Sequence, residues 1–277
     1  MKPISLIFPF LIFFACNSTD DEMRIDDQRA RENPFISESQ TDGQQVANQF
    51  WRVALFVDDG FDFTRNFENV SFRFVDSGVL EAHAYEKVIS GSWKIERDSP
   101  LDELYITFSN SSILVELNDD WYIRERGENI LVLEYQDDSY KNQLIFVRET
   151  NQPTVTAPFN NGKTEMESLF DKVYDSSFSI TSLIDDEDNK THLFSGGSLN
   201  FDPLGSVVLA QPNENSWRGF WMIGFNNEAI KLDIDFDYEG IPDYLDEDWL
   251  LESQENEVLK FIENDVIPED FLEITLK

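Results

Sequence analysis

The second half of this chain repeats the first at a nearly fixed offset, and that repeat constrains the fold more than any other feature. Trp93 and Trp121 are 28 residues apart, and so are Trp221 and Trp249. Thr64, Phe67, Phe74 and Gly78 return 127 residues later as Thr191, Phe194, Phe201 and Gly205. After one inserted residue the offset becomes 128. Gly91, Trp93, Ile95, Leu104 and Ile106 then return as Gly219, Trp221, Ile223, Leu232 and Ile234, and Leu144 returns as Leu272. Such a period is too long for a solenoid unit and suits a whole domain. Two copies of one fold are therefore expected within the 277 residues.

Within each copy, apolar and polar residues alternate over short runs. In Leu104-Tyr-Ile-Thr-Phe108 and Leu232-Asp-Ile-Asp-Phe236 the period of two is plain, which gives a strand one apolar and one polar face. In the first copy the pattern predicts eight strands: 50–57, 70–75, 79–85, 91–95, 101–108, 121–126, 130–135 and 143–147. Asp76-Ser77-Gly78, Arg126-Gly127-Glu128-Asn129 and Asp202-Pro203-Leu204-Gly205 read as turns between strands. Eight short strands with no helix long enough for a crossover favour an antiparallel meander, and closing it into a barrel removes its edges. The segment 150–172 reads as a linker, with a short helix expected over 165–173.

The amino terminus reads as an address. Lys2 precedes an apolar run from Pro3 to Ala15 that ends at Cys16. The run is too short to span a bilayer and suits a signal-peptide core. Cys16 is the only cysteine, so no internal disulfide is expected. The Ala15-Cys16 junction resembles the lipobox of bacterial lipoproteins, which implies a diacylated thiol at Cys16 that becomes the new terminus after cleavage. Multiple acyl chains would anchor the protein to a membrane without help from its polypeptide. Residues 17–45 carry few apolar side chains and read as an acidic, disordered tether. Its start, Asn17-Ser18-Thr19-Asp20-Asp21-Glu22, resembles the acidic stretch that sends some Bacteroidetes lipoproteins to the cell exterior. Fifty-five acidic against 21 basic residues give a net charge of −34, which argues against nucleic acid as a partner.

Each copy also runs through Thr-x-x-Phe, a paired-aromatic strand, Gly-x-Trp and Leu-x-acid-Asp-Trp. In the first these are Thr64 to Phe67, Phe72 and Phe74, Gly91 to Trp93, and Leu117 to Trp121. In the second they are Thr191 to Phe194, Leu199 and Phe201, Gly219 to Trp221, and Leu245 to Trp249. The set resembles the lipocalin-like domains of Bacteroidetes cell-envelope lipoproteins. The resemblance implies an all-β protein of two tandem antiparallel eight-stranded barrels, over 46–149 and 173–277, behind a signal peptide (1–16) and tether (17–45). It brings no ligand with it.

Four tryptophans, Trp93, Trp121, Trp221 and Trp249, form the repeat signature. Recurrence in both copies points to core packing rather than to a ligand wall, since indoles anchor cores well. Asp58, Asp59 and Asp62 occupy the loop that in the second copy holds Asp185, Asp186, Glu187 and Asp188. Six to eight oxygens would hold calcium, but the spacing lacks the register of a helix-loop-helix site, so solvated hairpin tips are expected. His83 and His192 do not correspond under the repeat, and no nucleophile or metal motif accompanies them. No cofactor and no enzymatic activity are expected. The expected function is a lipid-anchored cell-envelope binding protein of the outer membrane that carries a small apolar ligand in a barrel. The alternative is a surface lipoprotein with solidly packed barrels that meets protein partners through its loops. Interior volume separates the two.

Overall fold

The first half's strands are those that its alternation marks, with two additions. In the computed structural model they are β1 (Phe50–Asp58), β2 (Phe61–Asp62), β3 (Val70–Phe74), β4 (Val79–Ala84), β5 (Lys87–Glu96), β6 (Glu103–Thr107), β7 (Asp119–Arg126), β8 (Ile130–Gln136) and β9 (Lys141–Arg148). The short β2 was not foreseen, and β5 begins four residues before the expected strand because Lys87 to Ser90 pair fully with β4. The structure describes residues 46–277 except 98–99, 110–111, 137–140, 151–154, 214, 237, 239 and 264–269; Cys16 and the tether lie outside the described residues.

β1 pairs with both β3 and β9, and every strand between them pairs antiparallel with its sequence neighbour. The result is an eight-stranded closed antiparallel barrel. Its inner face holds Phe56, Phe72, Phe74, Leu104, Trp121, Leu133, Leu144 and Phe146, all buried. Burying each such side chain contributes about 1.5–3 kcal/mol. A β-bulge between Val53 and Leu55 flips the alternation of β1, so that Leu55 and Val57 face outward.

After α1 (Lys163–Val173) come β10 (Ser177–Asp185), β11 (Asp188–Asn189), β12 (Ser198–Phe201), β13 (Ser206–Ala210), β14 (Ser216–Phe225), β15 (Ile230–Asp235), β16 (Asp248–Glu255), β17 (Val258–Glu263) and β18 (Phe271–Leu276). The pairing order repeats, with β10 bonded to both β12 and β18. The bulges repeat as well: Ile180/Ser182 matches Val53/Leu55, and Leu251/Ser253 matches Ile123/Glu125. α1 buries Met166, Leu169, Phe170 and Val173 in this second core. The stretch before it is packed too, since Val155 and Phe159 cover Leu55, Val57, Ile145 and Val147 on the outer face of the first sheet.

Residues 40–277 form one unit, and the two halves meet along a specific seam. β13 pairs with β14 only as far as Phe220, so the backbone from Trp221 to Phe225 is left without that neighbour. The first half fills the gap. Asp62 of β2 bridges to Phe225, and the Asn66 side chain both donates to the Ile223 carbonyl (2.8 Å) and accepts from its N–H (2.9 Å). Phe220 and Met222 enter the first half's core cluster, and the Phe63 ring lies 2.6 Å from where a Cβ on Gly224 would stand.

Candidate functional site

The repeated tryptophans serve the fold identically in both halves. Trp93 Nε1 donates to Val75 O (2.9 Å) and Trp221 Nε1 to Asp202 O (3.2 Å), while Trp121 and Trp249 donate to Leu117 O and Leu245 O (both 3.1 Å). Phe74 meets Trp93 edge to face at 5.4 Å, as Phe201 meets Trp221 at 5.4 Å. The preceding glycines have a matching reason: a Cβ on Gly91 or Gly219 would collide with Thr107 O and Phe108, or Asp235 O and Phe236. All four indoles are buried with their one donor satisfied.

The acidic loops are tight two-residue hairpin turns. Asp59 and Gly60, and likewise Asp186 and Glu187, have positive φ, as a turn that follows strand twist requires. Their surroundings differ. In the second half Lys190 pairs with Asp185 (3.6 Å) and Asp188 (3.4 Å), and Asp186 N–H donates to Asp270. In the first half the turn points into the seam, where Asn142 donates to Asp58 and accepts from Asp59 N–H at 3.1 Å.

Around that turn the structure gathers carboxylates from four elements. A cleft of about 310 Å³ is lined by Glu116, Asp233, Asp235, Asp246, Glu247 and Asp248, with Phe220 at one wall. Lys231, 4% exposed, stands behind it, 2.6 Å from Asp248 and 3.9 Å from Asp233. Its ammonium also lies over the rings of Phe61 (5.7 Å) and Phe63 (5.6 Å). Burial pulls the lysine pKa down, but Asp233, the bond to Asp248 and the charge of Asp59 outweigh it and hold it above the usual value.

The acids around it are raised as well. Burial, then the charges of Asp233, Asp58 and Asp235, pushes Glu116 up to about 8. Burial lifts Asp233 to about 7 against the pull of Lys231, and lifts Glu247 to about 7 with help from Glu263. Burial also raises Asp58 to about 6, with Asp59 adding to it, and raises Asp119 to about 6. At neutral pH the cleft therefore shares protons among crowded carboxyls around one buried ammonium. Among the described residues, no group of three or more His, Cys, Asp or Glu is placed to hold a metal ion.

No protein-family model matches this chain, and no curated protein matches it. The site is thus defined by its own geometry. Sequence reasoning singled out Asp58 and Asp59 but missed Glu116, Asp119, Lys231, Asp233, Glu247 and Asp248. The signal was present: Lys231, Asp233 and Asp235 stand where the first copy has Glu103, Tyr105 and Thr107. His83 lies apart, 3.1 Å from Glu81 and edge-on to Phe50, and His192 is exposed on a short turn.

Proposed function

We propose that this chain is a lipid-anchored, non-enzymatic protein of the cell envelope, built of two tandem lipocalin-like eight-stranded barrels, that binds other proteins through its outer surface. The anchor in this reading is the acylated Cys16, with the acidic tether displaying residues 46–277 outside the outer membrane. The two-barrel reading rests on the matching pairings, bulges, glycines and indole bonds of the halves. Among the described residues no helix is long and apolar enough to cross a membrane.

One observation weighs for packed barrels over a carrier with a ligand inside. Inward-facing Phe56, Phe72, Phe146, Phe178, Phe261, Trp121 and Trp249 are all at most 2% exposed, and Phe72 meets Phe146 edge to face at 5.3 Å as Phe56 meets Trp121 at 6.5 Å. A carrier barrel encloses several hundred cubic ångströms. Native mass spectrometry of protein extracted from its source membrane tests the reading. The expected mass is that of the acylated chain alone, and a stoichiometric apolar molecule surviving gentle ionisation would restore the carrier.

A further inference from the structure

A second cleft, of about 400 Å³, lies between the outer face of β1 and the start of α1. That volume falls within the range of small-molecule sites. One wall is apolar, with Leu55, Val147, Val155, Met166 and Phe225. The other holds Arg52, Arg65 and Lys163 against Asp62, Glu68 and Glu167. The carboxylates are engaged or solvated: Asp62 accepts from Thr64 N–H at 2.9 Å, Glu68 pairs with Arg65, and Glu167 is exposed. Arg65 is spoken for, paired also with Asp171 at 3.8 Å and stacked on Phe170 at 5.1 Å.

Arg52 is different. Its Nε is buried without an acceptor, as that of Arg65 is, but its terminal nitrogens have no hydrogen-bond or ion-pair partner among the described residues either. In a chain with 55 carboxylates and only 21 cations, a half-buried guanidinium that pairs with none of them has donors to offer an anion.

We propose that this cleft binds a small amphipathic carboxylate, its headgroup paired with Arg52 and its apolar body against Leu55, Val147 and Met166. A carboxylate fits the planar fork of a guanidinium with two parallel bonds. One guanidinium without an ion-pair partner matches the charge of one carboxylate, and the chain's −34 opposes a phosphate dianion more strongly than a monoanion. The site goes beyond the function proposed above, because it lies outside the sheets and leaves the interior untouched.

Calorimetric titration of the full chain with 4-phenylbutyrate tests the proposal. One site is expected, with Arg52→Gln weakening it about tenfold or more while the melting temperature stays unchanged. The uncharged 4-phenylbutanol is expected to bind about tenfold or more weakly as well. Val155→Trp, which fills the apolar wall, is expected to abolish binding with Arg52 intact, and it keeps the test decisive if the arginine variant misfolds. Absence of heat at millimolar ligand overturns the proposal. So does equal affinity for the alcohol, or binding that survives either variant. Because the cleft lies beside Val155 and not inside a barrel, extra native mass that Val155→Trp removes belongs to the cleft, and extra mass that survives it belongs to an interior carrier.

Discussion

β5 and β14 occupy the same place in the repeat, share one face and differ on the other. Inward, Gly91, Trp93 and Ile95 match Gly219, Trp221 and Ile223. Outward, β5 shows Ser92, Lys94 and Glu96 to solvent, whereas β14 carries Phe220, Met222 and Gly224, all buried. The hairpin that covers β14 differs in the reciprocal way: Phe61, Phe63 and Asn66 stand where the second copy has Asp188, Lys190 and Leu193. What the copies share builds each sheet, and what they do not share builds the seam. The lesson extends to assembly. A head-to-tail contact propagates if every unit carries both surfaces. Here each complementary surface exists once per chain, and the contact ends after two copies.

Exchanging outer-face residues between the copies breaks this comparison most severely. Met222→Lys installs the first copy's residue and buries an unpaired ammonium in the seam. A loss of about 3 kcal/mol or more is expected in denaturant unfolding. The mirror change, Lys94→Met, removes an exposed cation that lies over Tyr105 at 4.2 Å and pairs with Glu96, and about 1 kcal/mol or less should follow. If the two losses are equal, the seam is not what distinguishes β14 from β5.

The contrast also explains which parts were legible in sequence. All eight first-half strands, and the helix before the second half, were visible because alternation and repeated aromatics reflect burial on a single sheet face. The short β2 was invisible, since two residues show no period. The acidic cleft was invisible for a different reason. Asp233 and Asp235 alternate with Leu232 and Ile234 as a solvent-facing row would, and only the packing of the other half turns that row inward. Alternation reports two faces and is silent on what covers the second. A residue-by-residue comparison of the copies' outer faces would have located the seam, because Phe220 against Ser92 and Met222 against Lys94 are changes that no isolated sheet needs.

Proton linkage marks the seam, where acids of both halves meet. Glu116, Asp233, Glu247, Asp58 and Asp119 have folded pKa values raised to about 8, 7, 7, 6 and 6. A raised carboxyl binds its proton more tightly when folded. Its contribution is full below the unfolded value near 4 and is lost as pH climbs through 6 to 8. Lys231, raised above the ordinary lysine value, stays charged throughout and contributes nothing to the slope. Stability should therefore fall by about 2 kcal/mol from pH 5 to pH 8.5, allowing for solvent screening of the more open groups. Unfolding midpoints across that range check the sign. Glu116→Gln with Asp233→Asn should flatten the slope.

The smallest expected effect concerns one side chain. Asn66 satisfies both the N–H and the carbonyl of Ile223, the backbone that β13 abandons. Asn66→Ala leaves that pair without partners, and about 1–2 kcal/mol of stability should be lost. The change also offers a finer readout. Amide exchange should accelerate at Ile223, on the edge the first half covers, and not at Ile95, its counterpart. Leu193, the second copy's residue at the Asn66 position, has no strand edge to cap, so Leu193→Ala should leave exchange at both isoleucines unchanged. Equal acceleration at Ile223 and Ile95 would mean that Asn66 supports the whole unit rather than the edge of β14.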